Sequence, residues 1–257
     1  MKTAPSPKDA LLSRLDPMDR LIVALDFPSA ETAMHLVDRL QGTCRWFKVG
    51  MELYYATGNY VIDRLRERNL EVFLDLKLHD IPNTVAGAVR SVANAGASLL
   101  TIHAGGGGHM MRAAAQAASA PDSPELLAVT VLTSMDAAEL SAVGVTDQAG
   151  LGDVVSSQVI RLARLACSSG INGLVCSAEE VSAVRKLMGP GTRLVVPGIR
   201  PANPDSSRAA DDQRRVATPA EAISRGASML VVGRPITLAL NPAEAAAAIL
   251  AEIRAAD

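Results

Sequence analysis

The chain has 257 residues, 49% hydrophobic and 20% charged, with a formal net charge of −2. That balance excludes a disordered segment and argues against a nucleic-acid partner, whose binding surface would carry a strong basic excess. Aromatic residues make up 3%, so the core must be built from Val, Leu, Ile and Ala, a composition suited to parallel strands covered on both faces.

Met1–Arg20 carries Lys2, Lys8, Asp9, Arg14, Asp16 and Asp19 and has no apolar block, unlike a secretion signal. No run approaches the ~18 uninterrupted apolar residues of a membrane span. A cytoplasmic protein with no membrane partner is expected. Residues 1–19 read as an N-terminal arm and residues 20–257 as one domain, with no linker dividing it.

Eight short β-rich apolar runs follow in order: Leu21–Asp26, Arg45–Val49, Glu71–Lys77, Ser98–His103, Leu127–Thr133, Asn172–Ser177, Arg193–Gly198 and Ser228–Gly233. Between them lie segments of helical pattern such as Ser29–Leu40, Pro82–Ala95, Val154–Ser168 and Pro242–Ile253. Strand alternating with helix means βαβ units and a parallel sheet. Eight units in a chain of roughly 250 residues favour a closed (β/α)₈ TIM barrel, an α/β fold. The two widest gaps locate insertions at Ser134–Gly152 and Ile199–Thr218. The second is polar, with Pro201 and Pro204 and no apolar period. A long loop of this kind in a compact domain is usually functional, here a candidate lid. Cys44, Cys167 and Cys176 show no paired spacing and read as buried small apolar residues.

In such a barrel the chemistry sits at the C-terminal ends of the strands. Strand 1 ends at Asp26, strand 2 at Lys48, strand 3 at Asp75, Lys77 and Asp80, strand 7 at Arg200, and strand 8 at Gly233 and Arg234. Dehydrating an unpaired charge is costly, so ionisable residues inside strands need a reason. Asp75 and Lys77 are two apart and share a strand face. With Lys48 they alternate in sign, each offsetting the desolvation of the next. The alternative is a structural ion-pair network; the position at the barrel mouth favours function. Asp80 precedes Pro82 and a helical stretch, so it is a helix cap as readily as a site residue. His79 reads as structural and His103 as a candidate for the mouth; His35 and His109 read as helix-surface or loop residues. Gly105–Gly108 lacks the residues of a P-loop and reads as a permissive turn. The better phosphate site is Gly233-Arg234, because barrels often bind phosphate after strands 7 and 8 and Arg is a forked, charged donor.

DLKLHDIPNTV, Asp75–Val85, resembles the signature of orotidine 5′-phosphate decarboxylases. The resemblance extends to ALDF at Asp26, FKVG at Lys48, VLTSM at Thr133, PGIRP at Arg200, DDQRR at Gln213 and VVGRPI at Arg234, in order from Leu21 to Pro235. It implies decarboxylation of orotidine 5′-phosphate to UMP, the last step of de novo pyrimidine nucleotide synthesis, without metal or cofactor. It implies a charged tetrad of Lys48, Asp75, Lys77 and Asp80, with Lys77 protonating C6 of the pyrimidine. Asp26 and Lys48 would hold ribose hydroxyls, Thr133 and Ser134 would lie near the pyrimidine, and Gln213, Gly233 and Arg234 would hold the phosphate with Arg200 close by. Asp80, Ile81 and Thr84 would enter the site of the other subunit of a homodimer. One alternative is a Mg²⁺-dependent sugar-phosphate decarboxylase on the same barrel, disfavoured because the ammonium of Lys48 stands where those relatives place an acidic metal ligand. The other is a barrel that only binds a nucleotide or sugar phosphate, which would not need the tetrad.

Overall fold

A computed structural model of the chain describes residues 15–146, 153–201 and 216–256. Eight strands close into a barrel in sequence order: β1 Leu21–Leu25, β2 Trp46–Gly50, β3 Glu71–Leu78, β4 Leu99–His103, β5 Glu125–Val129, β6 Gly173–Val175, β7 Arg193–Val196 and β8 Met229–Val232. Neighbours pair in parallel throughout, and β8 returns to β1. The chain is therefore a (β/α)₈ TIM barrel.

Alternation along each strand sorts the side chains into two cores. Ile22, Ala24, Phe73, Leu99, Leu127, Val195, Met229 and Val231 meet inside the barrel. The residues that alternate with them, such as Val23, Leu25, Phe47, Val49, Leu74 and Leu100, pack outward against the helices. The interior is thus a filled apolar plug, above which the C-terminal mouth opens.

The helices follow from their ends. Ser29 caps Ala30–Arg39 by accepting the Thr32 N–H, and its apolar stripe of Ala33, Leu36 and Val37 is buried. Pro82 opens Pro82–Ala95, where a missing N–H costs nothing, and Gly96 ends it in a left-handed conformation, φ 76°. A Cβ at Gly96 would also lie 2.2 Å from the Arg66 guanidinium. Asp153 caps Val154–Ser168, and Asn241 caps Pro242–Ala255.

Two sequence readings change. Strand 5 runs Glu125–Val129, not Leu127–Thr133. Its first residue is exposed and polar, held by the Arg193 guanidinium at 2.9–3.0 Å, which hid the strand start; Val131–Met135 turns away instead. Cys44 and Cys176 are buried, but Cys167 is exposed on its helix. Burial pushes the Cys44 thiol up to about 12. Of the expected arm, residues 1–14 lie outside the described residues. Pro17–Arg20 forms a 3₁₀ turn, and Arg20 donates to the Ala227 and Ser228 carbonyls at 2.8 and 3.2 Å, closing the barrel floor beneath β8. Among the described residues no helix is long and apolar enough to cross a membrane.

Candidate active site

Above the apolar plug the barrel mouth opens into a cavity of about 520 Å³, within the 300–1,000 Å³ usual for a small-molecule site. Its floor is Ala24, Phe73, Val175 and Val231; its charged wall is Asp26, Lys48, Asp75 and Lys77; and Thr133, Arg200, Gly233 and Arg234 complete it. Strand register explains the charged wall. Ala24 pairs with Lys48, Lys48 with Phe73, and Gly50 with Asp75, so these inward positions form a staircase around β1, β2 and β3.

The charges alternate along that staircase. Lys48 Nζ donates to Asp26 Oδ1 at 2.7 Å and lies 3.9 Å from Asp75 Oδ2. Lys77 Nζ stands 2.9 Å from both oxygens of Asp75. The Lys48 and Asp75 side chains are only 11% and 14% exposed, whereas Asp26 is 62% exposed at the rim. Screening is therefore weak at the inner pair and strong at the outer one. Gly50 matters here for space. A Cβ there would lie 3.1 Å from Lys48 Nζ and 3.2 Å from Asp26 Oδ1, crowding the pair.

Asp75 and Lys77 reach the same cavity, but not by the simple pleat. Between Leu74 and Leu78 the β3–β4 register shifts, with Leu74 opposite Leu100 and Leu78 opposite Ile102. Lys77 has φ 49°, a left-handed conformation that costs a non-glycine residue roughly 1–2 kcal/mol. Thr101, fully buried on β4, accepts the Lys77 N–H at 2.8 Å and donates to Asp75 Oδ1 at 2.9 Å. Sequence reasoning passed over Thr101; its only signal is that it is the lone hydroxyl in Leu99–His103.

Asp80, Ile81 and Thr84 do not line this cavity, and all three are exposed. Asp80 does not cap the following helix in the expected way. Its Oδ1 accepts the N–H of Ile81, the next residue, at 2.6 Å, and Ile81 occupies the cap position with no side-chain cap bond. Ser134 is also exposed and outside the cavity, whereas Thr133 faces it; the turn is closed by the Met135 N–H on the Leu132 carbonyl. Arg200 lies where the loop after β7 begins. Ile199 bridges Ala217, and the Arg200 N–H donates to the Ala217 carbonyl at 2.9 Å, so the two feet of that loop meet, and Arg200 borders the same cavity as Arg234. Gln213 and the rest of residues 202–215 lie outside the described residues.

The histidines act elsewhere. His79 stacks on His103, centroids 5.1 Å apart and 11° from parallel. His103 Nδ1 accepts the Gly105 N–H. Burial first, then His79 and Lys77, lower the His103 pKa, which favours a neutral ring. His103 does not line the cavity. Ala104–Gly106 is a 3₁₀ turn leading into the helix Gly107–Ala117, as a permissive turn should be. A second cavity, of about 400 Å³, opens at the opposite end, where Glu125 and Arg193 neutralise one another. Among the described residues no three His, Cys, Asp or Glu side chains gather as metal ligands.

The arrangement can hold a polyol beside Asp26 and Lys48, place an ammonium against a reacting carbon through Lys77, and receive an anion at Arg234. The model of the orotidine 5′-phosphate decarboxylase / HUMPS family matches residues 19–249. A protein of Halorhodospira halophila named orotidine 5′-phosphate decarboxylase is 50% identical over 92% of this chain and 97% of its own length. One of the same name from Moorella thermoacetica is 46% identical over 93% and 94%. The crystal structure of orotidine 5′-phosphate decarboxylase from Lactobacillus acidophilus superposes with a TM-score of 0.76 at 38% identity, covering 91% of this chain and 99% of that one.

Proposed function

This chain belongs to the orotidine 5′-phosphate decarboxylase family, its reaction being the decarboxylation of orotidine 5′-phosphate to UMP in pyrimidine synthesis, and we propose that it works without metal or cofactor, with Lys77 as the proton donor. The single observation that carries this reading is the alternating row Asp26–Lys48–Asp75–Lys77 at the barrel mouth.

Breaking the C6–carboxylate bond releases CO₂ and leaves the electron pair on C6, where the ring cannot readily delocalise it. A fixed ammonium at C6 stabilises that developing charge. Lys77 Nζ then gives its proton to C6, forming UMP, and solvent restores the ammonium. Asp75 holds Lys77 from both oxygens and presents a like charge to the substrate carboxylate, disfavouring the ground state relative to departing CO₂. Asp26 and Lys48 take the ribose hydroxyls. Arg234 takes the phosphate, with Arg200 and Gly233 lining the same cavity, and the family resemblance assigns Gln213 to the same phosphate. Binding energy from that distant phosphate organises the site around the transition state.

The two acidic side chains of the row already face ammonium groups, so a divalent cation would have to displace Lys48 or Lys77 to bind them. Activity is expected to survive exhaustive treatment with EDTA. Activity lost with chelator and restored by Mg²⁺ would instead favour the Mg²⁺-dependent reading.

The phosphate arm has its own test. Arg234→Ala should lower kcat/KM for orotidine 5′-phosphate about 10- to 100-fold, the scale of one charge-assisted hydrogen bond. It should be nearly neutral toward orotidine, which has no phosphate. Equal damage to both substrates would make Arg234 structural.

The same proposal includes a cytoplasmic homodimer in which Asp80, Ile81 and Thr84 complete the partner's site. What supports it is their exposure beside the mouth, with Ile81 68% exposed although apolar.

A further inference from the structure

We propose that Thr101 is the positioning residue that sets the Lys77 ammonium against Asp75, an inference that rests on the reading of Lys77 as proton donor. Between Leu74 and Leu78, β3 uses four residue steps where β4 uses two, Leu100 to Ile102. The extra residues lift the chain off the ladder and carry Lys77 into its left-handed conformation, φ 49°. The Lys77 N–H is thereby left to find an acceptor in a closed part of the barrel, where a missing one is costly. Thr101 Oγ1 provides it at 2.8 Å.

A hydroxyl has one hydrogen and two lone pairs. Accepting from Lys77 leaves the Thr101 hydrogen free to aim at Asp75 Oδ1, 2.9 Å away. Asp75 Oδ1 also accepts from Lys77 Nζ at 2.9 Å. The three groups form a closed ring: the Lys77 amide to Thr101, Thr101 to the Asp75 carboxylate, and the carboxylate to the far end of the Lys77 side chain. The ring ties the backbone and tip of one lysine to a single fixed hydroxyl. Branching at Cβ restricts χ1 of Thr101, so the hydroxyl has little freedom to wander.

Thr101 is fully buried and does not border the cavity, so it acts through Lys77 and Asp75. The far side of the bulge is held independently. His79 stacks on His103, each two residues further along the chain than its neighbour in the ring, Lys77 or Thr101. Gly105 lies against that stack, since a Cβ there would stand 3.0 Å from His103 Nδ1 and 3.7 Å from His79 Cε1.

The test compares the parent with Thr101→Val, which keeps the shape and removes only the hydroxyl, and with Thr101→Ser, which keeps the hydroxyl. UMP binding by calorimetry counts competent sites, and kcat is expressed per UMP-binding site. Thr101→Val is expected to lose kcat about 10- to 100-fold, the scale of a hydrogen bond to a charged group. Its KM and UMP affinity should stay within about twofold, because the phosphate and ribose contacts lie elsewhere. Thr101→Ser should recover most of kcat. If Thr101→Val does not fold, Thr101→Ala carries the same expectation without a branched methyl to seat. Loss of UMP affinity in step with kcat, equal loss in Thr101→Ser, or a folded hydroxyl-free variant with parental kcat would each overturn the proposal. A parent that binds UMP but does not decarboxylate orotidine 5′-phosphate would refute the function itself, so the two failures are distinguishable.

Discussion

Lys77→Ala is expected to abolish turnover while leaving the barrel folded. A general acid alone contributes about 10²–10⁴-fold, and this substitution also removes the cation that faces the developing carbanion, so the loss should far exceed that range. Folding should tolerate the change. The Lys77 side chain is 30% exposed in the cavity and belongs to neither apolar core. Asp75 would keep the Thr101 hydroxyl and the nearby Lys48 ammonium. Circular dichroism and UMP binding would report the fold, and product formation would report turnover. Activity within tenfold of the parent would refute the assigned role.

Asp80→Ala should be almost as damaging, and the reason is testable by mixing. Asp80 is exposed and stands outside the cavity of its own barrel. If it completes the partner's site, a dimer of one Lys77→Ala chain and one Asp80→Ala chain contains one site with both residues intact. Two inactive proteins refolded together in equal amounts should then recover about a quarter of the parental activity, since half the dimers are mixed and each has one good site. Mixed dimers that demonstrably form and remain inactive would show that Asp80 serves its own chain, or that the site is not shared.

The barrel was legible because apolar runs at near-regular spacing leave few other folds. The site was legible because charges at the ends of such runs are too costly to be accidental. Lys48, Asp75 and Lys77 do converge on one cavity, though Lys77 by way of a bulge, and Gly233 and Arg234 border the same cavity. What stayed hidden was local backbone. D-x-K reads identically in a flat strand and in a bulge, and a left-handed Lys77 has no sequence sign, because lysine is neither glycine nor asparagine. Thr101 was masked by being a good strand former. Gly50 was seen within FKVG, but that it clears the Lys48–Asp26 pair depends on where those side chains end, which only coordinates give. Asp80 before Pro82 looked equally like a cap, and its carboxylate accepts the Ile81 N–H instead of capping the helix that follows.

The central claim, that the Asp26–Lys48–Asp75–Lys77 row acts on a pyrimidine nucleotide and not on a sugar phosphate, is tested most directly by offering the purified chain both kinds of substrate. Orotidine 5′-phosphate should be consumed with UMP and CO₂ appearing in equal amounts, while a carboxylated sugar phosphate is left intact. Consumption of the sugar phosphate with orotidine 5′-phosphate untouched would contradict it.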